Sequence, residues 1–71
     1  MNAAFVYEIR VGSHLPERWS DWLEGLAIHL EADGKTTLQG PLPDQAALMG
    51  VLNRLTALNI TILSVKRLET G

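Results

Sequence analysis

Seventy-one residues without a cysteine make one domain that holds no disulfide and no thiolate metal site. A formal net charge of −2 and a pI near 5.5 supply no basic footprint for nucleic acid or an anionic lipid surface. Nothing approaches the roughly 20 consecutive apolar residues of a membrane span. The opening MNAAFVYEIR also lacks the pattern of a signal peptide, so a cytoplasmic chain with no nucleic-acid and no membrane partner is expected. A domain this small buries only about 60 % of its unfolded surface, which leaves good packing or self-association as its routes to stability.

Ala4 to Val11 alternates: Phe5, Tyr7, Ile9 and Val11 face one way, Val6, Glu8 and Arg10 the other. That is the period of a half-buried strand. Gly12-Ser13-His14 breaks it. Pro16 suits the first position of a helix, and Glu17 adds a favourable charge at the positive end of its dipole. Trp19, Trp22 and Leu23 then recur at helical spacing with Leu15 beneath them, and Gly25 closes a helix of about two turns. Two tryptophans so spaced are expected in the core, where they supply large buried area. Leu26, Ile28 and Leu30 alternate with Ala27, His29 and Glu31 as a second strand. Asp33-Gly34 is a two-residue hairpin signal, and Lys35 to Gln39 returns as a short strand with Thr36 and Leu38 inward.

Gly40-Pro41-Leu42-Pro43 reads as a hard stop, since proline lacks an amide donor and restricts the residue before it. Asp44 suits an N-cap. Leu48, Val51, Leu52, Leu55 and Leu58 then form one stripe with a period near 3.6. Gly50 in that helix costs on the order of 1 kcal/mol against alanine, which close approach to a sheet would explain. Asn59 is a fitting left-handed C-cap, and Arg54 falls on the wet face. Ile60 to Val65 is β-branched, apolar on both sides and short, hence a last strand.

The order is therefore β-α-β-β-α-β. With right-handed crossovers it predicts an α+β fold, a four-stranded antiparallel sheet of order 4-1-3-2 with both helices on one face. That is the ferredoxin-like plait. A three-strand meander followed by the long helix and a last strand is the alternative.

The segments YEIRVGSHLPERWSDWLEGL, ADGKTTLQGPLPDQAAL and LTALNITILSVKRL run from Tyr7 to Leu68. They resemble a family of short, uncharacterised bacterial proteins. The resemblance implies the same α+β architecture and carries no activity, ligand or cofactor. Better-known plaits fit poorly. A metal-chaperone plait needs C-x-x-C; an acylphosphatase plait needs an arginine in the loop that is here Gly12-Ser13-His14-Leu15-Pro16. An RNA-recognition plait needs aromatics on strands one and three, and Lys35 to Gln39 has none.

Three candidate sites follow. The uncovered sheet face would carry Glu8, Arg10, His29, Glu31, Thr37, Gln39 and Lys66. Imidazole beside carboxylate can ligate a metal or move a proton, but only two such groups alternate on one strand, so a solvated polar face is the plainer reading and no metal or cofactor is assigned. Gly12, Ser13 and His14 precede a helix start and could hold an anion or small ligand, against the plainer reading of an exposed loop. The third is an oligomer interface. A last strand apolar on both sides, followed only by Glu69-Thr70-Gly71, invites another chain to pair with it. Val6, Ile60, Ile62 and Leu63 are its expected residues.

No Ser/His/Asp arrangement, phosphate loop or paired-His motif is present. The expected function is a small non-enzymatic protein-interaction or regulatory module, with itself as partner in a homodimer or higher oligomer and another protein as a further partner. The alternatives are a domain that binds an amino acid or anion at a subunit boundary near Gly12 to Leu15, and an enzyme whose pocket only the oligomer builds.

Overall fold

The computed structural model describes residues 5–68; Ala4, expected at the head of the first strand, and Glu69, Thr70 and Gly71 lie outside the described residues. In chain order the elements are β1 (Phe5–Val11), a 3-10 helix (Glu17–Leu23), β2 (Ala27–Leu30), β3 (Thr36–Leu42), α1 (Gln45–Ala57) and β4 (Ile62–Leu68). The strands form one open antiparallel sheet in the order β2-β3-β1-β4, which from the opposite edge reads β4-β1-β3-β2.

Alternation in β1 does what its pattern requires. Tyr7, Ile9 and Val11 are buried while Glu8 and Arg10 are half-buried on the other side. Ile9 stands opposite Leu38, and Val11 opposite Thr36, so the inward sides of β1 and β3 meet. Around them Leu23 from the 3-10 helix, Leu26, and Leu48, Val51 and Leu55 from α1 complete one core cluster. Each such leucine, fully buried, contributes roughly 1.5–3 kcal/mol of transfer free energy.

Gly40-Pro41 does not stop β3, which continues to Leu42 with Pro41 paired to Val6. The Gly12 amide donates to the Thr61 carbonyl at 2.9 Å, on the β4 side. Backbone groups alternate along a strand, so the even-numbered residues of β1, Val6 among them, face β4. Pro41, opposite Val6, therefore points its missing donor away from β1. On that side β2 has already ended, because its first residue Ala27 pairs with Gln39. A proline is tolerated at such a half-edge position. Gly40 sits close to Leu26: a Cβ there would come within 3.1 Å of Leu26 Cδ2, so that side chain would have to shift by a few tenths of an ångström.

The β2–β3 hairpin is one residue longer than Asp33-Gly34 predicts. Glu31 donates to the Lys35 carbonyl at 2.8 Å and Gly34 to the Glu31 carbonyl at 3.2 Å, which encloses Ala32-Asp33-Gly34. Gly34 takes φ +89°, the left-handed residue of a three-residue loop.

A 3-10 helix replaces the expected α-helical turns. With 3.0 residues per turn, residues three apart eclipse, and Trp19 and Trp22 stand edge to face with ring centres 5.7 Å apart. Only Trp19 packs against the core; Trp22 is 43 % exposed, which corrects the expectation that both are buried. Leu23 is the buried anchor. Glu24, ahead of Gly25, takes the left-handed position at φ +61°. So short a helix is marginal alone. Its C-terminal end is tied down by Ser20 Oγ, which donates to the Leu26 carbonyl at 2.7 Å. Arg54 Nη1 adds bonds to the Trp22 carbonyl and Glu24 Oε2 at 3.0 and 3.1 Å. Arg54 thus bridges the two helices and is not merely on a wet face.

Asp44 caps α1 as expected, its Oδ1 accepting from the Ala47 amide at 2.8 Å, and Asn59 takes φ +61° after the last turn. Gly50 is not a close-approach glycine, since nothing lies within 4 Å of a Cβ built there. β4 begins two residues later than expected and carries an extra residue: Arg10 pairs with Ser64 but Val11 with Ile62, so Leu63 is bulged. The bulge shifts the phase, setting Ile62 and Val65 both on the helix side, opposite Val11 and Ile9.

Candidate functional site

The sheet side away from the core forms cross-strand rows. Leu68, Val6 and Pro41 make the first; Lys66, Glu8, Gln39 and Ala27 the second; Ser64, Arg10, Thr37 and His29 the third. Glu8, Arg10, Lys66 and His29 therefore do share one face, as alternation predicts. They do not form a constellation. His29 is separated from Arg10 by the Thr37 strand, a distance of about 10 Å at two strand spacings. Glu31 lies one residue beyond β2; its amide donates to the Lys35 carbonyl, continuing the parity of Ala27 and His29, and its own carbonyl accepts from His14 Nε2 at 2.9 Å. Among the described residues no group of three or more His, Cys, Asp or Glu could hold a metal ion. The two ion pairs of the described residues, Lys35–Asp33 and Arg54–Glu24, lie elsewhere, so Glu8, Arg10 and Lys66 stand side by side unpaired. Beside them the Ser64 hydroxyl is buried without a partner.

The Gly12-Ser13-His14 loop is held from within. The Gly12 amide is spent on Thr61, and the Leu15 amide donates to Thr36 Oγ1 at 3.2 Å. Thr36 Oγ1 in turn donates to the Ser13 carbonyl at 2.6 Å. Two of the four amides from Gly12 to Leu15 are thus already committed, and the helix that follows has seven residues. Little positive backbone field is left there for an anion.

The expected interface residues separate into two groups. Ile60 and Ile62 are half-buried and pack against the core cluster, and the Ile60 amide donates to the Leu55 carbonyl at 3.0 Å as part of the end of α1. Leu63 is 45 % exposed and Val6 half-buried, both on the open side, where Leu63 Cδ2 lies 4.0 Å from a Cβ built at Gly12. Among the described residues β4 is an edge strand of the sheet, with a neighbour on one side only. Ser64, Lys66 and Leu68 oppose the even residues of β1 and give their backbone groups to it. Val65 and Arg67 turn theirs outward. Val65 is also 40 % exposed, and the Arg67 guanidinium sits 4.8 Å over the Phe5 ring. Val65 and Arg67 are the site residues that sequence patterning does not single out. The signal for them is backbone parity, which requires knowing the partner strand.

No helix among the described residues is long and apolar enough to cross a membrane. No curated protein and no solved structure matches the chain. Residues 6–66, from within β1 to within β4, match one family model, and the chain belongs to that family, described as a domain of unknown function (DUF8691).

Proposed function

We propose that the chain is a small non-enzymatic protein-interaction module that self-associates through its sheet into a homodimer or higher symmetric oligomer. The observation that supports this is the edge of β4, unpaired among the described residues, with Leu63 and Val65 exposed on its two sides at 45 % and 40 %. An unpaired edge flanked by apolar side chains is a template for another strand. The open face adds Val6 and Leu68 at one end and, in the middle, Glu8, Arg10 and Lys66, which form no ion pair among the described residues. The β4-β1-β3-β2 arrangement is read as the ferredoxin-like plait, in which the 3-10 helix and α1 cover one side and leave the other for contact. Its support is that Leu23 and the buried residues of α1 belong to a single core cluster.

Light scattering on a dilution series tests the proposal. A mass of twice 7.8 kDa or a higher multiple, falling towards 7.8 kDa on dilution, is expected. A single species of 7.8 kDa at millimolar concentration would contradict it.

A further inference from the structure

We infer that two copies of the chain join β4 to β4 in an antiparallel register with Val65 on the twofold axis. This rests on the self-association reading above and adds to it the partner strand and its register. A twofold interface presents the same patch on both subunits, so any residue on the axis meets itself.

The charges of β4 select among the possible centres. A centre on Lys66 sets two ammonium-bearing side chains opposite each other in a pair with Cα atoms about 4.5 Å apart, since Lys66 gives its hydrogen bonds to β1. A centre on Arg67 opposes two guanidinium side chains at about 5.5 Å. Like charges directly opposite destabilise a strand pair. A centre on Ser64 would bring the bulged Leu63 next to the axis, where the ladder is already broken. A centre on Val65 opposes no like charges and keeps the bulged Leu63 two residues from the axis. Val65 and its counterpart exchange the outward N–H and C=O groups that β1 leaves unused, Lys66 stands opposite Ser64, and Arg67 opposite Leu63. The two exposed apolar residues of the strand, Leu63 and Val65, both fall inside the paired segment. A bulge and basic residues are devices that keep edges from pairing indiscriminately. In β4 they restrict pairing to one register.

The chain has no cysteine, so a single introduced thiol can only pair with its own counterpart. Val65→Cys, Leu63→Cys, Lys66→Cys and Arg67→Cys are made separately and oxidised at equal concentration. In the inferred register the Val65 positions are about 5.5 Å apart, within the span a disulfide bridges. The Arg67 positions are offset by four residues along the strands, roughly 13 Å. Val65→Cys should therefore cross-link about tenfold or more faster than Arg67→Cys. Val65→Lys, with far-UV circular dichroism as the check on folding, should weaken association. Faster cross-linking through Lys66→Cys or Arg67→Cys would overturn the register and leave self-association standing. Slow, equal cross-linking at all four positions of a chain that sediments as a dimer would place the interface away from β4. A wild-type chain that is monomeric throughout would overturn both readings.

Discussion

Replacing Thr36 by valine removes one buried hydroxyl and keeps the side-chain shape. Thr36 is fully buried at the start of β3, and its Oγ1 holds the β1-to-helix loop by donating to the Ser13 carbonyl and accepting from the Leu15 amide, at 2.6 and 3.2 Å. Ser13 is exposed, so water can replace its lost donor, and that bond is worth about 1 kcal/mol net. Leu15 is buried, and orphaning its amide costs about 1–3 kcal/mol. The expected loss is about 2–4 kcal/mol, against a total stability of roughly 4–10 kcal/mol for a domain of this length. With a urea m-value of about 1 kcal/mol per molar, the denaturation midpoint should fall by roughly 2–4 M. Thr36→Ser keeps both bonds and loses one buried methyl, so it should cost only about 0.8 kcal/mol. A valine variant whose midpoint moves by less than about 0.5 M would refute the assignment of the loop's anchorage to this hydroxyl.

Three further outcomes are expected. Gly50→Ala has open space for its methyl and should stabilise α1 by about 1 kcal/mol in urea denaturation; destabilisation would mean the helix needs that glycine after all. Ser64→Ala deletes a buried hydroxyl that has no partner, so thermal unfolding should show no loss of stability and a gain of up to about 1 kcal/mol. Asp33 accepts from the Lys35 amide and from Lys35 Nζ, which hold its carboxyl below the usual 3.8. Its contribution is therefore complete above that pH and is lost as pH falls through the lower folded value. The stability difference between wild type and Asp33→Asn should shrink on acidification, small in size because the pair is exposed; a difference that grows would reverse the sign.

Local chemistry was the legible part of this chain. Asp44 and Asn59 mark the ends of α1 because capping depends on the residue and its immediate neighbours. The alternation of Tyr7, Ile9 and Val11 likewise needs only a strand with one dry side. What sequence reading missed depends on partners distant along the chain. Pro41 sits inside β3 because β2 happens to end beside it, and Trp22 is exposed because a 3-10 winding stacks it on Trp19. The bulge at Leu63 reverses which side chains of β4 face the helices, and no count of apolar residues reveals it. The same holds for the site. Glu8 and Arg10 could be placed on one face from period alone, whereas the outward backbone groups of Val65 and Arg67 follow from the phase of the β1–β4 ladder.

Amide hydrogen exchange along β4, followed by NMR over a range of protein concentrations, tests the self-association most directly. Ser64 and Lys66 donate to β1 in a single copy, so their amides should be protected at every concentration. Val65 and Arg67 should exchange like open amides when dilute and become protected as concentration rises. Rapid exchange at Val65 and Arg67 up to millimolar concentration, with Ser64 and Lys66 protected throughout, would contradict pairing at this edge.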